Sequence, residues 1–310
     1  MQRVLESLRR QTLEREMWKL LIVDNGSKRN LADEWDVSWH PAARHVREAT
    51  VGLTPARLRG IAESCGDLFV FVDDDTILAE DYLGRARSMW ARYPHLGAFG
   101  AGSIEPEFEV TPAPDLVPCV HLLGVRGVSA GVWSNDPSDQ FCRPWGAGLC
   151  VTPEVAEAYK RLVDRLGVTD VVGRRGQRLF SGDDDLFSWA ASHVGKWFGV
   201  FPELRVTHLI AAGRMTHDYF LRLIHDHAFS HSVLRYLLTG VGPQRLNLAK
   251  GLRLIAHRLR NGRFSMHCRH AQLRGEDSAL RFIEERRLQP LQNRLSHGSG
   301  RPVLAHRHDA

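Results

Sequence analysis

The sequence predicts an α/β fold: an open sheet flanked by helices, followed by a helical, basic C-terminal extension. Three observations carry this. Near-continuous apolar runs, Trp18–Val23 and Leu68–Val72, alternate with segments whose apolar residues recur at helical spacing. The second run passes directly into Asp73-Asp74-Asp75. Acid therefore gathers at the carboxyl end of a buried strand, where open α/β sheets bind their ligands. Beyond Thr216 only helical periodicity continues.

In chain order, Val4, Leu5 and Leu8 give a short helical stripe, and Trp18–Val23 a strand closed by the turn residues Asp24-Asn25-Gly26-Ser27. A helix follows Pro55 through Leu58, Ile61 and Ala62. Leu68–Val72 is the second strand, and Tyr82, Leu83, Ala86, Met89 and Trp90 mark one helix face. Leu96–Ile104 is a glycine-broken strand, and Glu105–Asp139 is irregular and proline-rich. Thr152 with Pro153 opens a helix striped by Val155, Tyr159, Leu162, Val163 and Leu166. Leu186, Phe187, Ala190, Ala191 and Val194 stripe another, ahead of two short strands, Trp197–Phe201 and Leu204–Leu209. Phe220, Leu223, Ile224, Val233, Leu234 and Leu237 then share a helix face. These boundaries predict a main domain over 1–215, a helical extension over 216–293 and a disordered tail over 294–310.

The chain has 310 residues, of which 43% are hydrophobic and 25% charged, so a packed soluble domain is expected rather than disorder. The net charge of +5 is unevenly placed. From Val241 onward fourteen Lys and Arg face five Asp and Glu, while the preceding residues hold 27 against 31. Five scattered cysteines form no C-x-x-C pair, which argues against a zinc ribbon or a redox motif and fits reduced thiols in the cytoplasm. No apolar run reaches the roughly 18 residues of a membrane-spanning helix, and Met1–Gln11 lacks the apolar centre of a signal peptide.

Three carboxylates at the end of a buried strand repel one another unless solvent or a cation offsets them. A divalent ion held by one or two carboxylates and substrate phosphates suits Asp73-Asp74-Asp75; a solvated turn or helix cap is the plainer reading. An aspartyl phosphatase would want D-x-D-x-T, but Thr76 is one place early and Ile77 fills its slot. Gly182-Asp183-Asp184-Asp185-Leu186 opens a helix, where the macrodipole alone favours acids. It could equally supply a general base. In Trp145-Gly146-Ala147-Gly148-Leu149, glycines permit close backbone approach and the indole offers a face to a sugar ring, or the segment is simply a loop. His208 ends a strand, as a ligand or a packed side chain. His217, His225, His227 and His231 lack the H-E-x-x-H pattern and read as helix surface.

Taken jointly and in order, these segments resemble the family 2 glycosyltransferases of GT-A fold, over roughly Val4 to Tyr236. Leu5–Thr12 is similar to that family's first helix. Asp24 resembles the aspartate that contacts the nucleobase. Gly52 with Ala56–Ile61 resembles its A-R-N-x-G-I segment, which implies Arg57 near the nucleotide. Asp73-Asp74-Asp75 resembles its D-x-D element: Asp73 toward the ribose, Asp75 on Mn²⁺ or Mg²⁺ and the diphosphate, Asp74 completing the donor side. Trp145–Leu149 is similar to the acceptor-side glycine loop, implying Trp145 and Gly146 at the acceptor. Gly182–Leu186 resembles the G-E-D-x-D-L run, implying Asp184 as base with Asp183 and Asp185 beside the acceptor. His208 resembles a histidine that completes the metal site, and Arg214, Met215, Thr216 and Tyr219 the segment that follows.

The resemblance starts at the family's first helix. The family's opening strand, normally central, has no counterpart here, which implies strand edges left unpaired. Asp183 stands where the family has Glu, and Leu58 where it has Asn; the Q-x-x-R-W signature of processive synthases is absent. The resemblance therefore implies inverting transfer of a single sugar from a nucleotide-diphosphate sugar, UDP-linked by preference, to a glycan or glycolipid hydroxyl. A degenerate, non-catalytic partner on the same fold is the other reading. Leu248, Leu252, Ile255 and Leu259 alternate with Lys250, Arg253, Arg258 and Arg260. That pattern fits either an amphipathic helix packed on the body or peripheral docking at the inner membrane face. Only Phe264 and Phe282 lie among the tail arginines, so no nucleic-acid partner is expected.

Overall fold

The computed structural model describes residues 1–244 and 248–291, with side chains from residue 264 onward in the second segment. The side chains of Leu248–Arg260 and the segment 294–310 lie outside the described residues. Two compact units emerge: Met1–Arg178 with Asp183–Phe220, and Leu179–Gly182 with Leu221–Ala310.

The first unit is built on two sheets. Helix α1 (Gln2–Arg9) buries Val4, Leu5 and Leu8, the predicted stripe. Strand β1 (Leu20–Asn25) alternates buried and half-buried residues and pairs in parallel with β2 (Ala43–Glu48), with the short α2 (Leu31–Glu34) between them. Helix α3 (Leu53–Glu63) begins ahead of Pro55. Its fully buried positions are Thr54 and Arg57, whereas Leu58 and Ile61 are half-buried and Ala62 is exposed.

The larger sheet has seven strands, in the order β3-β8-β5-β9-β4 with β6 beside β5 and β7 beside β9. Its members are β3 (Phe69–Phe71), β4 (Thr76–Leu78), β5 (Leu96–Phe108), β6 (Arg126–Gly127), β7 (Val132–Ser134), β8 (Leu149–Val151) and β9 (Trp197–Ile210). Helices α4 (Tyr82–Arg92), α5 (Pro153–Leu166) and α6 (Asp183–His193) accompany it. The mixed α/β class is as expected. Among the described residues, β1 and β3 each keep one edge without a strand partner.

Two differences from the sequence reading have physical causes. The two short strands before Thr216 are one strand, β9. Pro202 interrupts it, and the register against β5 shifts there, between Ala101 and Ser103. The irregular stretch after Ile104 contains the remainder of β5 and the two short strands β6 and β7. Strand β5 runs beside β9 for most of its length, and its glycines leave room for that approach. A methyl on Gly102 would stand 2.5 Å from the Phe201 carbonyl carbon and 2.7 Å from the Pro202 nitrogen, both backbone atoms.

In the second unit, α7 (His217–Thr239) continues from the first, and α8 (Leu248–Glu285) follows. Within it Phe229 packs edge-on against Phe282, and Val233, Leu234, Leu237, Ala271 and Leu273 are buried. Among the described residues no helix is long and apolar enough to cross a membrane.

Backbone cannot yield as a flexible side chain can, so Gly102→Ala should destabilise the fold by about 1–3 kcal/mol. Urea unfolding followed by circular dichroism measures this; a midpoint equal to the parent's would mean that the β5–β9 approach is looser than described.

Candidate active site

The acidic clusters converge because strand ends and one helix start meet. After β3 the chain turns through Asp73–Thr76, closed by the Thr76 N–H donating to the Asp73 carbonyl at 3.0 Å. It returns as β4, which pairs antiparallel with β9 so that Thr76 faces His208. Asp75 is thereby fixed beside His208. Its Oδ2 lies 3.4 Å from His208 Nε2 and accepts a hydrogen bond from Arg214 Nη2 at 2.7 Å. Arg214 Nη1 is also 3.1 Å from His208 Nε2, so the guanidinium spans both groups. Burial raises the Asp75 carboxyl, but the His208 hydrogen bond and charge and the Arg214 cation outweigh it and hold the group below its usual value. Asp74 is exposed; its carbonyl accepts from the Met1 amine at 3.1 Å.

Arg57 ties the triplet to the second cluster. It is 4% exposed, and its Nη1 donates to Asp183 Oδ2 at 2.5 Å while Nη2 stands 3.9 Å from Asp73 Oδ1. Burial opposes its charge, yet Asp183, Asp73 and Asp184 more than offset that and raise its pKa. The guanidinium carbon also lies 5.7 Å from the Phe71 ring centre and 5.9 Å from that of Phe187. Burial raises the Asp73 carboxyl above its ordinary value, against the pull of Arg57, and Asp75 adds to the rise. A methyl on Gly146 would collide with Arg57 Nη2, so that glycine makes room for the guanidinium.

The three acids of the second cluster have different surroundings. Asp183 is 1% exposed; its Oδ1 accepts from Thr54 Oγ1 at 2.5 Å and Tyr159 Oη at 2.6 Å, and its Oδ2 from Arg57. Asp185 pairs with Arg143 at 3.2 Å. Asp184 is half-buried and accepts the Gly146 N–H at 3.2 Å. Burial first, and the charges of Asp185 and Asp183 next, lift its carboxyl to about 6, with Arg57 pulling the other way.

Both oxygens of Asp183 are engaged below the surface, and Arg57 is a buried cation between two acidic segments. Trp145 is half-buried, and Arg126 covers one face of its indole with the guanidinium 3.6 Å from the ring centre. Burial lowers Arg126 to about 10 although Asp184 acts against this. Asp24 is 2% exposed. It accepts the Ser27 N–H at 3.0 Å and the Leu31 N–H at 3.5 Å, with Arg47 at 3.6 Å. These hydrogen bonds and Arg47 overcome burial and hold its carboxyl low. Thr54 and Tyr159 were missed as site residues. Tyr159 sat in an apolar stripe and Thr54 in a helix start, and neither position carries a local signal for a buried carboxylate partner.

Among the described residues, no group of three or more His, Cys, Asp or Glu side chains stands ready for a metal ion. Asp75 and His208 are donor types that suit a divalent ion, but the Arg214 guanidinium lies against both facing atoms, so an ion there would have to displace it.

Residues 1–110 match the family model Glycosyl transferase family 2. The resemblance read from the sequence is shown over this segment, which carries Asp24, Arg57 and the Asp73–Asp75 triplet. No curated protein matches the chain. Solved structures similar to it include S. aureus TarS 1-349, at 12% identity and a TM-score of 0.45, covering 92% of this chain and 87% of that one. The same protein in complex with UDP-GlcNAc matches at 14% identity and TM-score 0.45, over 84% and 68%. The mannosyltransferase PcManGT from Pyrobaculum calidifontis, in complex with GDP-Man and Mn²⁺, matches at 18% identity and TM-score 0.48, over 92% and 71%.

The position of Asp184 has a consequence for stability. Its folded value lies above that of an unfolded aspartate, so folding binds a proton there. The resulting stability is present below the ordinary carboxylate range and is lost as pH rises through about 6. Asp184→Asn should therefore unfold at a higher temperature than the parent at about pH 8, and the gap should narrow toward about pH 4. Thermal melts across that range test it; a gap independent of pH would remove the shift.

Proposed function

We propose that this protein transfers a single sugar from a nucleotide-diphosphate sugar, UDP-linked by preference, to a hydroxyl of a glycan or glycolipid, with inversion. The observation that carries the reading is the division of labour among the acids. Asp73 and Asp75 line the turn after β3 with one depressed and one raised carboxyl, while the half-buried Asp184, raised to about 6, stands at the start of α6. The family match over residues 1–110 supports the donor side of this reading.

In the proposed reaction Asp184 accepts the proton of the acceptor hydroxyl. The oxygen lone pair forms the new bond to the anomeric carbon as the bond to the diphosphate oxygen breaks, and the nucleoside diphosphate leaves with that electron pair. A carboxyl near 6 is mostly ionised at neutral pH yet basic enough to take a proton as the bond forms. Arg57 keeps the base-bearing helix and the donor-side turn in register through Asp183 and Asp73. Arg214 holds Asp75 in place. A divalent ion, when bound, would lie at Asp75 and His208 and neutralise charge on the leaving diphosphate. Asp24, at the end of β1, is assigned to the donor nucleoside. The reading keeps the cytoplasmic setting inferred from the scattered cysteines.

Calorimetric titration of UDP, with Mn²⁺ and then with a chelator, tests the donor site. Binding should require the metal and disappear in Asp75→Asn without loss of fold; equal binding by that variant would remove Asp75 from the site. For the base, Asp184→Asn should lower kcat by about 10²–10⁴-fold while UDP affinity stays near the parent's. Comparable loss of both would move Asp184 out of that role.

A further inference from the structure

Arg57, Arg143 and Arg214 each pair with a carboxylate of the two acidic clusters. Arg57 Nη1 is 2.5 Å from Asp183, Arg214 Nη2 is 2.7 Å from Asp75 and Arg143 Nη1 is 3.2 Å from Asp185. Arg126 differs: among the described residues it forms no ion pair. Its Nη1 donates to the Arg143 carbonyl at 2.7 Å, and its guanidinium carbon stands 3.6 Å from the centre of the Trp145 ring. Arg126 sits on β6, opposite Ile104 of β5, so the sheet carries it. It is half-buried, and all of these residues lie in the first compact unit.

A half-buried guanidinium is costly to desolvate, and one carbonyl and an indole face offset only part of that cost. We propose that Arg126 is a specificity-determining residue on the acceptor side, and that the acceptor carries an anion, a carboxylate or a phosphate, close to the hydroxyl that receives the sugar. This rests on the readings of Asp184 as the base and Trp145 as an acceptor residue. The placement follows from the chain: Trp145 precedes Gly146, whose N–H donates to Asp184 Oδ2 at 3.2 Å. Stacked on Trp145, Arg126 is therefore held beside the segment that touches the base. The donor-side acids are served by other cations, Asp75 by Arg214 and Asp73 by Arg57. Asp184 is the carboxylate whose charge acts on Arg126, and burial lowers Arg126 only to about 10, so it stays cationic at neutral pH. The cation would also offset the repulsion that an acceptor anion meets from Asp184 and its acidic neighbours. Contact with the indole restricts the planar guanidinium, which suits two-point contact with carboxylate or phosphate oxygens.

The test uses the full chain with UDP and Mn²⁺ in excess, so that the donor side is occupied. Glucuronate, glycerol 3-phosphate and glucose are titrated separately and followed by the Trp145 indole N–H resonance, assigned with Trp145→Phe. At least one anion should shift that resonance with a dissociation constant at least about tenfold below that of glucose. A response to glucuronate alone identifies a carboxylate, and to glycerol 3-phosphate alone a phosphate. Arg126→Gln should weaken the anion at least about tenfold and leave glucose and UDP within about twofold. Arg126→Lys, which serves if the first variant does not fold, should keep the preference for the anion at lower affinity, because the charge remains and the planar fork is lost. An anion bound no tighter than glucose, or bound equally well by both variants, would overturn the assignment. Equal loss of UDP and anion in these variants would overturn it as well, by moving Arg126 to the diphosphate. A parent chain that binds the anion through Arg126 but does not bind UDP would uphold the anion site and remove the transferase reading instead.

Discussion

The site depends on one buried cation. Arg57 sits on α3 and reaches two acids far apart in sequence, Asp73 after β3 and Asp183 at the start of α6. A buried ion pair is costly to desolvate, and the geometry must repay that cost. Here Asp183 has three donors, Thr54, Tyr159 and Arg57, so its lone pairs are well used. Arg57 in turn has Phe71 and Phe187 near its guanidinium. A lysine could not replace it. An ammonium is a point charge, whereas the planar fork addresses two carboxylates at once. The same demand explains Gly146, because any side chain there would take the space of Arg57 Nη2.

With that knot in place, each remaining acid acquires a distinct character. Asp24 and Asp75 are held ionised by hydrogen bonds and cations, while Asp184 is pushed up by burial and by its like-charged neighbours. Titratable groups driven apart in this way are what the proposed reading assigns to charge carrier and proton carrier. Asp183 takes the buried structural position, which leaves Asp184 half-buried and able to exchange a proton. Adjacent residues on a helix point about 100° apart, so one acid of the triplet can face the core while the next is only half-buried.

That separation was not legible in the sequence. The clusters were, because an apolar strand running into aspartates is a local pattern, and so is a glycine followed by three acids ahead of an apolar stripe. The roles within a cluster depend on residues 24 to 129 positions away: Tyr159 and Thr54, which meet at Asp183. Periodicity placed Tyr159 correctly on the buried side of α5 and said nothing of its hydroxyl. On α3 it favoured Leu58, Ile61 and Ala62, although Thr54 and Arg57 are the buried residues. Apolar patterning assumes that the core wants apolar groups, and it fails where the core is a charge network. The sheet was read better than its connections: β5 and β9 were found, but the break at Pro202 divided one strand into two.

The position of the triplet also explains why three acids are tolerated together. Free N–H groups and the macrodipole at the start of α6 favour negative charge, and Arg57 and Arg143 each take one carboxylate. Asp184 accepts two backbone N–H groups, from Gly146 and Asp185, and has acids on both sides. Its raised carboxyl follows from this arrangement: burial lifts it first, and the repulsion of Asp185 and Asp183 adds to that against the pull of Arg57. A site built this way gives up stability at neutral pH to keep one group basic. The sacrifice is local because Asp183 and Asp185 remain fully engaged.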